Sequence, residues 1–130
     1  MANKRLAAQV REMFEKLLSE EREAHKKIDV DGDPFADTRI YSDKYMVTEH
    51  VGGAGRGYEG FIPTLMDKDK AHSNCLLVVT YDGAGYDYLS YETDFGEGMV
   101  TAKFIKRLKE ARLPVILEHF CKWAFCVYED

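Results

Sequence analysis

The first 28 residues carry apolar side chains at spacings of three and four, with polar side chains between them. This period places the apolar residues on one face and predicts an amphipathic helix from about residue 4 to residue 27. Pro34 lacks an amide proton, so we expect a turn or loop there. The helix needs an apolar surface to cover. The predicted apolar stripe consists of Leu6, Val10, Met13, Phe14, Leu17, Leu18, Ala24 and Ile28.

The middle of the chain has the alternation of a β-strand. β-Branched and aromatic residues alternate with polar ones across residues 39–51, which predicts one strand. A glycine-rich segment follows at residues 52–60. Residues 61–72 contain Pro63 and have no clear period, so we expect a long loop there.

A hairpin is predicted around the sequence Asp82-Gly83-Ala84-Gly85, because strand-like segments at 75–81 and 85–92 flank these turn-forming residues. A two-residue turn would pair Tyr81 with Tyr86 and Val79 with Tyr88.

A second helix is predicted at about residues 101–112, where apolar residues recur at helical spacing before Pro114. The tail from 115 to 128 fits either a helix or a strand, and its aromatic and β-branched content favours a strand at 121–128. The predicted order is α-β-β-β-α-β. We therefore expect an α+β fold in which an antiparallel sheet carries both helices on one face.

Length and composition favour one domain spanning residues 1–130. The chain is 45% hydrophobic and 32% charged, as expected for a folded domain with a polar exterior. Its three cysteines form no regular framework, which favours a reducing, cytoplasmic location. No apolar run reaches the 18 or so residues of a membrane span, and the N-terminal residues lack the pattern of an export signal, so no membrane association is expected.

Between Lys70 and Lys103 the chain has no lysine or arginine but five acidic residues, as many as its net charge of −5. Carboxylates next to tyrosines favour contact with a basic protein surface. Tyrosine packing under the helices, and acids near the start of the second helix, would explain the same pattern. The residues predicted to bind a partner are Asp82, Tyr86, Asp87, Tyr88, Glu92 and Asp94.

The helix at 101–112 is rich in lysine and arginine, but the net charge of −5 argues against direct nucleic-acid binding as its role. The segment Gly55-Arg56-Gly57-Tyr58-Glu59-Gly60 has the spacing G-x-G-x-x-G, although Pro63 interrupts the helix that a dinucleotide site requires. A loop closing over a ligand or anion, through Gly55, Arg56 and Gly57, is the alternative.

No metal or cofactor site is predicted. The aspartates at 29, 31 and 33 begin like a calcium loop, but Pro34 stands where that loop needs glycine. The cysteines and histidines lack zinc-site spacing. A Cys121 nucleophile assisted by His119 or His50 is a further hypothesis, based on a strand that would put His119 and Cys121 on one face and Cys126 on the other.

The leading expectation is a non-catalytic acidic protein that binds a protein partner stoichiometrically. Its size and charge resemble those of inhibitors, encoded by phages and other mobile elements, that cover the basic cleft of a nucleic-acid-handling complex. The alternative is a small-ligand or nucleotide-binding domain that uses residues 52–60, with cysteine and histidine catalysis as a further step. A homodimer through the helix at 4–27 is a third hypothesis.

Overall fold

The computed structural model describes residues 3–27, 35–51, 60–67, 74–81, 99–121 and 123–130. These residues form an α+β fold, as predicted, and the N-terminal helix has the expected bounds. The elements are α1 (Lys4–Lys27), β1 (Thr38–Tyr41), β2 (Lys44–Val51), β3 (Gly60–Asp67), β4 (Cys75–Tyr81), α2 (Met99–Glu110), β5 (Val115–Cys121) and β6 (Ala124–Glu129).

The strands form two antiparallel sheets. Four strands pair in the order β1-β4-β6-β5, and β2 pairs with β3 in a separate two-stranded ribbon. Two clusters of buried side chains occupy the two faces of the four-stranded sheet. We call the face that packs on α1 and α2 the helix face and the face that packs on β2 and β3 the ribbon face.

The core under the helices is centred on three phenylalanines. Phe14 of α1 lies with its ring centroid 4.8 Å from that of Phe104 on α2 and 5.5 Å from that of Phe125 on β6. All three rings are fully buried. Most of the predicted apolar stripe of α1 is buried in the same cluster, so a dimer through this helix would have to use its polar face.

The N-terminus of α1 is capped by a side chain. The Asn3 side-chain oxygen accepts hydrogen bonds from the backbone N–H groups of Arg5 and Leu6, each at 3.1 Å. This is the N-cap arrangement that satisfies amides at the start of a helix. The Asn3 N–H donates to the Glu129 carboxylate at 3.3 Å, which ties the start of α1 to the end of β6.

The second helix ends in a Schellman motif. Leu113 N–H donates to Leu108 O at 3.3 Å and Arg112 N–H donates to Lys109 O at 3.1 Å. Arg112 has a φ of 55°, the left-handed conformation usually taken by glycine at this position. The helix therefore ends at Glu110, two residues before the predicted end.

Replacing Arg112 with glycine should raise the free energy of unfolding by about 1 kcal/mol, because the Cβ atom is disfavoured in the left-handed region. Urea denaturation measures the change. Arg112→Ala is the matched control, since it removes the same charge but keeps the Cβ atom and should give no comparable gain. Equal stabilisation by both substitutions would contradict the conformational explanation.

Two predictions for the middle of the chain are wrong. The single strand expected at 39–51 is divided into β1 and β2 by a bend at residues 42 and 43, and the two parts join different sheets. The loop expected at 61–72 contains strand β3 up to Asp67. Pro63 is compatible with this strand because β3 pairs with only one described strand, which leaves an edge where a missing N–H has no cost.

The tail forms a hairpin of two strands. The strand favoured at 121–128 corresponds to β6, but β5 before it was not predicted, because residues 115–120 fit helical and strand periods equally well.

The predicted pairing of β4 with a following strand is also wrong. Val79 pairs with Ile40 on one side and Phe125 on the other. Tyr81 pairs with Thr38 and donates its N–H to Trp123 O at 2.8 Å. β4 thus has β1 on one side and β6 on the other, so a following strand cannot pair with Val79 or Tyr81. Residues 82–98, the rest of the predicted hairpin, lie outside the described part of the chain.

Neither α1 nor α2, the helices in the described ranges, combines the length and the apolar character that crossing a membrane requires.

Candidate partner-binding groove

The partner-binding residues and the anion loop that the sequence predicts lie outside the described part of the chain. They are the proposed partner-binding residues Asp82, Tyr86, Asp87, Tyr88, Glu92 and Asp94, and the proposed anion loop Gly55, Arg56 and Gly57. The described residues provide another candidate, which the sequence analysis did not identify.

A groove of about 430 Å³ lies at the open end of the β5–β6 hairpin, where β5 begins and β6 ends. Strand pairing builds it: Ile116 lies opposite Tyr128, and Glu118 lies opposite Cys126. Because directly paired residues share a face, these side chains project from the ribbon face. The groove is lined by Asn74, Ile116, Glu118, Tyr128, Glu129 and Asp130.

The groove is acidic. Glu118 and Asp130 are exposed, and neither has an ion-pair partner among the described residues. The third acid, Glu129, accepts a hydrogen bond from the backbone N–H of Asn3. Asn74 fixes this end of β6, because its side-chain amide donates to Glu129 O at 2.9 Å. Two carboxylates are thus held next to the groove without a compensating cation in the described structure.

Apolar surface accompanies these acids. Ile116 is 44% exposed. Among the described residues, Met66, at 36%, is the other exposed large hydrophobic side chain. Tyr128 is half-buried, and its pKa is raised first by burial and then by the neighbouring Cys126, Cys75 and Glu118. The hydroxyl of Tyr128 is hydrogen-bonded with the Cys126 thiol, so the surface that this side chain offers the groove is its aromatic ring.

The ribbon face also carries the thiols of the chain. Cys75, Cys121 and Cys126 all belong to the ribbon-face cluster, and Cys75 and Cys126 are fully buried. A hydrogen bond with the Cys75 thiol, together with burial, raises the pKa of Cys126. A protonated, buried thiol is a poor nucleophile.

The expected placement of His119 with Cys121 is wrong. His119 pairs with Phe125, on the helix face, and contacts its ring edge-on at a centroid distance of 6.2 Å. A bulge between His119 and Cys121 shifts the alternation, so Cys121 pairs with Ala124 on the ribbon face together with Cys126. Burial lowers the pKa of His119. The geometric basis for His119 activating Cys121 is therefore lost.

The basic residues of α2 are partly neutralised by α1. Lys103 Nζ lies 2.5 Å from Glu21 Oε1, and Arg107 Nη2 lies 2.5 Å from Glu20 Oε2. These ion pairs connect the two helices on the side of the sheet opposite the groove. Glu20 and Glu21 of α1 are thus engaged within the chain, in contrast to Glu118 and Asp130.

Among the described residues, no group of three or more histidine, cysteine, aspartate or glutamate side chains is arranged to hold a metal ion. Comparison of the chain with protein-family models, curated proteins and solved structures found no match.

Proposed function

We propose that this chain is a non-catalytic acidic protein that binds a protein partner stoichiometrically. The observation that carries the proposal is the groove, where Glu118 and Asp130 lie without cation partners in the described structure beside exposed Ile116 and half-buried Tyr128. An apolar centre flanked by charge is the usual composition of a protein interface.

The charge of the groove specifies the kind of partner. Exposed carboxylates attract a basic surface over a distance of about 10 Å at moderate salt, which speeds association and selects against acidic partners. Tyr128 adds a rigid aromatic surface, and tyrosine is enriched at interface hot spots. A basic protein surface fits both features.

Among proteins with basic surfaces, we propose a nucleic-acid-handling complex whose cleft this chain covers as an inhibitor. The support for this step is the small size and the net charge of −5. On the basis of the sequence, we propose that further acidic residues contact the same partner. These are Asp82, Asp87, Glu92 and Asp94. A cytoplasmic location accompanies the proposal, because all three cysteines are present as thiols.

A capture experiment tests the proposal. The tagged chain and the variant Glu118→Lys are used to capture proteins from a cell lysate, and the complex is then reconstituted from purified components. We expect Glu118→Lys to reduce capture strongly. Glu12→Lys is the matched control, because it makes the same charge change at an exposed position of α1 on the opposite side of the sheet. Equal loss with both variants, or with neither, would reject the groove as the binding surface.

A further inference from the structure

The geometry points to β5 as the site where a partner adds an extended, alternating basic and apolar segment to the sheet as an antiparallel strand. This inference rests on the proposed function and specifies how the partner binds. β5 is the last strand of the order β1-β4-β6-β5 in the described structure. A strand at the edge of a sheet offers unpaired backbone groups to another chain.

Hydrogen bonds at the end of the hairpin determine which backbone groups of β5 face outward. Asp130 N–H donates to Pro114 O at 2.9 Å, so residues 114, 116 and 118 direct their backbone groups toward β6. The hydrogen bonds on the other side of β6 fit this alternation. Glu129 N–H donates to Asn74 O at 2.9 Å, so Glu129 faces β4 whereas Asp130 faces β5. Leu117 therefore directs its N–H and C=O away from β6, to the edge that no described strand pairs with.

The two faces of this edge differ in chemistry. Val115 and Leu117 are partly buried on the helix face and extend the apolar core to the edge. Ile116 and Glu118 are exposed on the ribbon face, beside the groove. An added strand places alternate side chains beside these two sets. The matching segment carries apolar residues on the helix face and lysine or arginine on the ribbon face.

Charge favours a foreign segment over a second copy of this chain. Pairing of β5 with its own copy would bring two Glu118 carboxylates onto the same face of a joined sheet, which is unfavourable. A basic segment meets no such charge repulsion.

A peptide in which lysine and valine alternate over seven residues tests the inference. In antiparallel pairing the valines share the face of Leu117 and direct their N–H groups to β5. N-methylation of the valine amides should therefore weaken binding at least about tenfold, whereas N-methylation of the lysine amides should change it little. Fluorescence anisotropy measures both affinities, and amide exchange followed by NMR should show protection of Leu117 on binding.

The outcomes separate this inference from the proposed function. If both methylated peptides bind like the parent and Leu117 gains no protection, while Glu118→Lys abolishes binding, strand addition is wrong and the acidic groove stands. If the peptide does not bind, strand addition is wrong, and the capture experiment decides separately on the acidic groove. If the peptide binds the unmodified chain and Glu118→Lys equally well, the charge complementarity on which both proposals depend is wrong. Stronger loss with the lysine-methylated peptide rejects the antiparallel arrangement. A dimer of the chain alone, seen by sedimentation and removed by the peptide, would assign the edge to a second copy.

Discussion

Replacing Phe14 with alanine should lower the free energy of unfolding by about 3–5 kcal/mol, the usual loss when a buried aromatic ring leaves a cavity. Phe14 joins α1 to α2 through Phe104 and to the sheet through Phe125. Its removal therefore weakens both contacts of the long helix at once. Domains of this size have a total stability of about 5–15 kcal/mol, so the variant should approach global unfolding.

Urea denaturation followed by circular dichroism measures this change. Ile116→Ala is the comparison variant: it also removes an apolar side chain, but at an exposed position of β5. It should cost no more than about 0.5 kcal/mol. Similar losses for Phe14→Ala and Ile116→Ala would mean that α1 does not pack on the sheet as described.

Stability should fall as the pH rises above about 9, because the Cys126 thiol keeps its proton in the folded chain and loses it in the unfolded chain. The Cys75 hydrogen bond and burial raise the folded pKa of Cys126, whereas an unfolded cysteine titrates near its ordinary value of about 8.5. Above that value the unfolded state binds fewer protons than the folded state, so alkali favours unfolding. Because of this thiol, the free energy of unfolding falls by up to about 1.4 kcal/mol for each pH unit above that value.

The variant Cys126→Ala isolates this contribution. Urea denaturation between about pH 8 and pH 10.5 measures the free energy of unfolding of both proteins. That of Cys126→Ala should fall less steeply, and its total loss over this range should be about 2 kcal/mol smaller than that of the unmodified chain. Tyr128, whose pKa is also raised by burial, should add a loss above about pH 10 in both proteins. Parallel curves would contradict a buried, protonated Cys126.

The long helix was predictable because its period extends over the 24 residues of α1, and no competing interpretation fits that many residues. The strands were predicted less well where tertiary pairing decides the structure. Pro63 argued against a strand, yet β3 accommodates it because Pro63 lies in a two-stranded ribbon. The tyrosine pairs predicted for β4 failed because β1 and β6, distant in sequence, occupy both of its edges.

The groove could not be found from sequence patterns alone. Asn74, Glu118 and Asp130 come from three separate segments, and only the pairing of β6 between β4 and β5 brings them together. A local signal did exist in β5, where Ile116 and Glu118 alternate with partly buried Val115 and Leu117. That alternation indicates a strand with one face outward, but the helical interpretation of the tail obscured it.

The affinity of the reconstituted complex, measured by titration calorimetry at low and moderate salt, tests the central claim most directly. We predict one molar equivalent at saturation, weaker binding as salt rises, and an affinity about tenfold lower for Glu118→Lys but unchanged for Glu12→Lys. The same affinity for the unmodified chain and Glu118→Lys, independent of salt, would contradict binding through the acidic groove.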